Sequence, residues 1–238
     1  MVAPTTVPAV PWHLLTLPGV YAPQDDTDLL ARALCREAIG PDTDVLDLGT
    51  GSGALAVHAA RLGARVTAVD IARRAVLTAR LNALATRQRI TVLRGDLTAA
   101  VPGRSFDVVA SNPPYVPSPS VRLPRHGAAR SWDAGQDGRA VVDRICDAAP
   151  QALRPGGVLL MVHSALCDTD ATVRRLTEAG LRTTVADHAL IPFGPVLRSR
   201  RTFLRGRGLL GEENPGNDRN GRTDEHMEEL VVIRAERT

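Results

Sequence analysis

The sequence predicts a doubly wound α/β fold: seven strands, most of them parallel, finished by an antiparallel hairpin at the C-terminal end. Three observations predict it. Short apolar runs alternate with helical patterns from Val45 onward, a glycine-rich loop opens the series, and acids stand at the ends of three successive runs. Continuous apolar runs suit strands buried on both faces, because the crossover helices of a parallel sheet cover it above and below.

The strands are expected at 45–49 (VLDLG), 65–70 (RVTAVD), 89–96 (RITVLRGD), 106–112 (FDVVASN), 158–164 (VLLMVHS), 182–190 (RTTVADHAL) and 228–236 (EELVVIRAE). Helical spacing of apolar residues fills 54–62 before Gly63, 72–86, 141–153 before Pro155-Gly156-Gly157, and 168–179 before Gly180. Glycine just past a periodic run is the usual helix stop. A further helix is expected upstream at 26–39. Residues 1–18 form a Pro-rich arm and 19–238 a single domain. Within it, the polar stretch 211–226 (GEENPGNDRNGRTDEH) is expected as a flexible loop in the hairpin between the last two strands. There is no internal repeat.

The bulk composition narrows the chemistry. The chain has 238 residues, 44% of them hydrophobic and 3% aromatic, so aliphatic side chains must fill its core. All 29 basic residues are arginine. A Walker-type phosphate lysine and a Schiff-base lysine are therefore excluded. A formal net charge of +3 permits an anionic partner without requiring one. Cys35, Cys146 and Cys167 lack C-x-x-C spacing, which points to reduced, mostly buried thiols rather than disulfides or a zinc site. With no signal-like start and no apolar run approaching the ~20 residues of a membrane span, the expected setting is cytoplasmic.

Asp47-Leu48-Gly49-Thr50-Gly51-Ser52-Gly53 sits where the first strand turns into a helix. Glycine allows the tight turn and lets a ligand approach the backbone, and amides at the helix start face that ligand. Gly49-x-Gly51-x-x-Ala54 also satisfies the dinucleotide fingerprint, so the loop alone does not choose a cofactor. Two features favour S-adenosylmethionine. Asp47 would help bind a cationic ammonium, where a pyrophosphate would be repelled. Asp96, in Gly-Asp-Leu at the third strand's end, would accept a hydrogen bond from an adenine amino group. Asp70 would hold the ribose hydroxyls, with Ile71 and Leu97 on either side of the adenine.

The fourth strand ends in Ser111-Asn112-Pro113-Pro114-Tyr115. Ligands of doubly wound sheets bind beyond the carboxyl ends of the strands, which places Asn112 beside the cofactor. An amide or base amino nitrogen has a delocalised lone pair, and acceptors on its two N–H groups would orient it for in-line attack. The Asn112 side-chain oxygen and the Pro113 carbonyl would be those acceptors. Pro113 and Pro114 stiffen the turn, and Tyr115 would pack over a planar acceptor.

With these motifs in place, the chain resembles the HemK/PrmC-like class I methyltransferases, which have a Rossmann-like fold and modify a glutamine side-chain nitrogen in release factors. VLDLGTGSG (45–53), AVD (68–70), GD (95–96) and SNPPYVP (111–117) carry the resemblance. Val20 to Thr27 is similar to the opening motif of the family's short branch. This adds Tyr21, Pro23 and Thr27 to the cofactor residues Asp47, Gly49, Thr50, Gly51, Gly53, Asp70, Ile71, Asp96, Leu97 and Asn112. Trp132 to Gly138 (WDAGQDG) resembles the family's Gly-x-Asp-Gly element. The N-terminal helical domain of the bacterial members is missing, so the chain resembles the compact archaeal and eukaryotic branch. That branch implies a protein substrate, with a translation release factor foremost, and a small zinc-binding activator protein as partner.

Three other activities stay open from the residues alone. They are N6-methylation of adenine in DNA or RNA, methylation of a small-molecule nitrogen, and cofactor-dependent regulation without turnover. Few aromatics and slight positive charge make nucleic acid the less favoured partner. His58 and His163 read as structural, whereas His126 and Trp132 belong to a loop, 117–137, that should overhang the acceptor. Arg198, Arg200, Arg201, Arg205 and Arg207 read as a solvated helix face, with contact to ribosomal RNA or an acidic protein as the alternative.

Overall fold

Apolar runs such as Val45-Leu46 and Val108-Val109 can bury both faces only in the middle of a covered sheet, and that is where they lie. A computed structural model of the protein describes residues 12–210 and 227–238. Its strands are β1 (Asp44–Leu48), β2 (Arg65–Asp70), β3 (Ile90–Arg94), β4 (Phe106–Ser111), β5 (Leu153–Ser164), β6 (Leu181–Pro192) and β7 (Met227–Arg237). Its helices are α1 (Asp25–Leu34), α2 (Ala54–Arg61), α3 (Arg73–Ala85), α4 (Val142–Ala152), α5 (Thr169–Glu178), α6 (Pro195–Ser199) and α7 (Arg201–Gly206).

The seven strands form one sheet in the order β3-β2-β1-β4-β5-β7-β6. β1 pairs in parallel with both β2 and β4, so the strand order reverses between β1 and β4. β7 runs antiparallel between β5 and β6. Leu46, Val109, Leu160 and Ile233 lie in the core beneath the helices, as do Leu29, Leu30 and Leu34 of α1. Burying each such side chain contributes on the order of 1.5–3 kcal/mol.

Several boundaries depart from expectation. Helix α1 stops at Leu34 instead of continuing to 39, and Cys35 to Gly40 forms turns closed by Arg36 N–Ala33 O and Ile39 N–Glu37 O bonds. The expected stop Pro155-Gly156-Gly157 lies inside β5, whose pairing with β4 begins at Leu153 opposite Phe106 and then shifts register. Gly157 permits this, since a Cβ there would stand 2.8 Å from the Phe106 carbonyl oxygen. β6 and β7 pair over their whole length but are not joined by a simple hairpin, because α6 and α7 intervene. Those two helices are too short to show a period in the sequence. The polar stretch 211–226 and most of the Pro-rich arm fall outside the described residues.

Candidate active site

A cavity of about 490 Å³ opens at the carboxyl ends of the strands, beside the reversal between β1 and β4. Its size lies within the range usual for small-molecule and cofactor sites. The glycine loop forms one wall. Gly49, Gly51 and Gly53 have φ of 73°, 55° and 83°, a region costly for residues with a Cβ. At Gly53 a Cβ would also come within 3.1 Å of Ala79 on α3.

The three acids occupy different positions. Asp70 lines the cavity and braces the loop, its carboxylate accepting from Gly51 N at 3.0 Å and Ala72 N at 2.8 Å. Burial raises its pKa, and those amide bonds oppose the rise. Asp96 also lines the cavity but carries an ion pair to Arg144 at 2.8 Å. Ile71 and Leu97 flank this part of the cavity, and Leu97 holds a left-handed φ of 48°.

Asp47 lies elsewhere. It is 1% exposed, beneath the loop rather than on the cavity wall, and accepts from Thr50 Oγ1 at 2.5 Å and Ala56 N at 3.1 Å through Oδ2. Its Oδ1 has no hydrogen-bond partner among the described residues. Burial pushes its pKa up to about 7. Its visible work is to hold the loop, and Thr50 commits its hydroxyl to the same task.

Asn112, Pro113, Pro114 and Tyr115 line the cavity next to the glycine loop, at the end of the neighbouring strand β4. Their geometry depends on Asp26, which sequence reasoning did not single out. Asp26 Oδ1 accepts from the Thr27 hydroxyl at 3.1 Å and the Thr27 amide at 2.6 Å. Its Oδ2 accepts from Tyr21 Oη at 2.8 Å and Tyr115 Oη at 3.0 Å. A carboxylate only accepts, so the Thr27 proton is committed to it and Thr27 Oγ1 can receive only an N–H from elsewhere. Asn112 Nδ2 supplies that N–H at 3.2 Å. The Asn112 amide is thereby oriented, and its Oδ1 is left for the cavity. Burial and the Asp26 charge raise both tyrosine pKa values far above the ordinary range, so both hydroxyls remain donors. Pro23 lines the same cavity.

The overhanging loop is pinned in place. Val116 N donates to Trp132 O at 2.7 Å, Ala134 N to Val116 O at 3.1 Å, and Ser118 N to Gly135 O at 2.8 Å. Leu123, Pro124, Arg130 and Trp132 therefore reach the cavity. Arg200, expected on a solvated face, instead pairs with Asp133 at 2.6 Å and donates to the Pro117 carbonyl at 2.9 Å. It clamps α6 and α7 onto the acceptor loop. Neither His58 nor His163 lines the cavity. Burial holds the His163 pKa down to about 4, with Nδ1 bonded to the Ser164 carbonyl. Glu228, at the start of β7, is another acid on the cavity wall that sequence reasoning missed.

Proteins of known structure share this architecture. A chain of the E. cuniculi Mtq2–Trm112 complex, responsible for methylation of the eRF1 translation termination factor, matches with a TM-score of 0.62 at 24% identity. The match covers 92% of this chain and 99% of that one. A T. thermophilus 16S rRNA N2 G1207 methyltransferase, solved with AdoMet and guanosine, gives 0.56 at 23% identity over 94% of this chain and 46% of its own. The fold is that of the class I methyltransferases.

The Methyltransferase small domain model matches residues 11–123. A Methanocaldococcus jannaschii protein named as an N5-glutamine methyltransferase is 32% identical over 74% of this chain and 88% of its own length. Release factor glutamine methyltransferases of Gloeobacter violaceus and Bordetella pertussis are each 39% identical, over 63% and 72% of this chain. The chain spans only 57% and 66% of those two bacterial relatives. It belongs to the HemK/PrmC-like methyltransferase family.

Proposed function

We propose that the chain transfers the methyl group of S-adenosylmethionine to the side-chain nitrogen of a glutamine in a protein, with a translation release factor as the foremost substrate. The observation that carries this reading is the bonded series Asp26–Thr27–Asn112, which occupies the Asn112 amide nitrogen and leaves its oxygen to accept from a substrate. When bound, S-adenosylmethionine supplies an electrophilic methyl on a sulfonium. The residues fit that group: a glycine wall allows close backbone approach, and Asp70 stands where ribose hydroxyls would be met. Asp47 supports the site indirectly, by holding the glycine loop through Thr50 and Ala56.

On the acceptor side, the Asn112 oxygen and the Pro113 carbonyl take the two N–H bonds of a primary amide. They fix its plane and stabilise the positive charge that develops as the C–N bond forms. Tyr115, held by Asp26, supplies an immobile surface. The extra proton is acidic once the nitrogen is methylated, so it leaves without a dedicated base.

The reading includes a small activator protein. In support, α3 exposes Leu77, Leu81 and Leu84 beside β3, the strand that ends the sheet. An apolar face next to an open strand edge suits a protein partner.

Radiolabelled S-adenosylmethionine incubated with the protein and a cell lysate, with and without the activator, tests the substrate. Label lost on protease treatment and recovered as N5-methylglutamine supports the reading. Label that survives protease and is lost with nuclease overturns it. Asn112→Ala should reduce turnover by about 100-fold or more while S-adenosylmethionine affinity, read by calorimetry, stays close to wild type. Near-normal turnover would refute the role given to Asn112.

A further inference from the structure

Glu228 is a carboxylic acid built into the cavity wall with half of its bonding capacity unused. It is 6% exposed, and its backbone is fixed by pairing with Ile191 in β6. Its Oε1 has no hydrogen-bond partner among the described residues. Nearby donors are already committed: the hydroxyls of Tyr21 and Tyr115 both go to Asp26. Burial, then the Asp26 charge, push the Glu228 pKa up to about 7. A buried acceptor without a donor costs free energy, and an acid held beside a second acid costs more. A bound group bringing an N–H would remove the first cost, and a cationic one would offset the second as well.

Resting on the glutamine reading, we infer that Glu228 is a specificity-determining residue. Its Oε1 accepts a hydrogen bond from an N–H of the acceptor-bearing segment, so the site selects amide or cationic donors and turns away acidic ones. The neighbours support this polarity. Asp26 and Asp25 of α1 add negative charge, while Tyr21, Tyr115 and Cys167 are kept protonated by burial. All of these groups remain in the variants below.

The test uses the full chain, S-adenosylmethionine and a synthetic glutamine peptide of release-factor sequence, with steady-state kinetics from pH 6 to 8.5. Glu228→Leu should raise KM for the peptide about tenfold or more, leaving kcat and the calorimetric Kd for S-adenosylmethionine within about threefold. Glu228→Gln keeps an acceptor oxygen but loses the charge, so it should recover only part of the loss and match the wild type at low pH. The wild-type KM should rise as pH falls below about 7, the value to which burial raises this acid, and the Glu228→Gln profile should be flat there. An unchanged KM in Glu228→Leu overturns the inference. So does a loss confined to kcat, a matching loss of S-adenosylmethionine affinity, or a wild-type KM that improves as pH falls. Cofactor binding by each variant serves as the check on folding. The wild-type rate on the peptide tests the glutamine reading separately. If lysate labelling identifies another acceptor, that acceptor replaces the peptide and the same comparison decides.

Discussion

Thr27 joins the helix that enters the fold to the strand that ends at the chemistry. It receives the Asn112 amide N–H and passes its own proton to Asp26, so one hydroxyl decides which way the Asn112 amide points. Thr27→Val keeps the shape and removes the hydroxyl. The Asn112 amide then loses its orientation, and losing one hydrogen bond of about 1.5 kcal/mol lowers kcat about tenfold. Thr27→Ser should restore it. Steady-state rates of the two variants check this, and a Thr27→Val enzyme with wild-type kcat would refute the coupling. At this scale the sequence was partly legible. Asn112 to Tyr115 could be read because the motif is contiguous and stands at a strand end. Asp26 and Glu228 could not, because the two meet Tyr115 only after a chain of 238 residues has folded. Asp47 was read as facing the ligand from its distance to the first glycine, yet its side chain bonds to the amide of Ala56 on α2.

At the level of elements, the glycine loop and acceptor motif are held by segments distant in sequence. The WDAGQDG segment pairs with the acceptor loop through Val116 and Ser118, and Gly138 lies directly against Tyr115. A Cβ at Gly138 would stand 2.3 Å from the Tyr115 carbonyl oxygen and 2.6 Å from Cys167 Sγ, and its φ of 75° disfavours any side chain. Gly138→Ala must therefore displace Tyr115. The expected outcome is a loss of turnover of about tenfold or more and destabilisation of about 1–3 kcal/mol in urea unfolding. Unchanged kcat and unchanged unfolding midpoint together would show that the loop does not depend on this contact. The central parallel strands were legible because each is a short, mostly apolar run separated from the next by a helical or turn segment. The start of β5 and the helices α6 and α7 were not. Pairing overrides the turn-forming Pro155-Gly156-Gly157, and helices of 5 and 6 residues carry too little pattern.

For the whole molecule, the site imposes a cost that pH reveals. Asp47 is wholly buried, and its pKa rises from 3.8 to about 7 on folding. The folded state therefore holds a proton that the unfolded chain has already released between those values. Stability attached to this group is fully present below pH 3.8 and is lost as pH rises through about 7. Asp44 acts in the opposite sense, because Arg65 and Arg154 hold its pKa down, so its contribution is lost as pH falls. Asp47→Asn isolates the first effect: the amide still accepts from Thr50 and Ala56 N but does not ionise. Urea unfolding of wild type and variant between pH 4.5 and 8 should show the difference in stability moving in favour of the variant as pH rises, then levelling above about 7, because Asp44 is common to both proteins and cancels. A parallel pair of stability–pH curves would mean that Asp47 keeps its charge at no cost. The loop would then be supported by ionic bonding beneath it rather than by a neutral, buried acid.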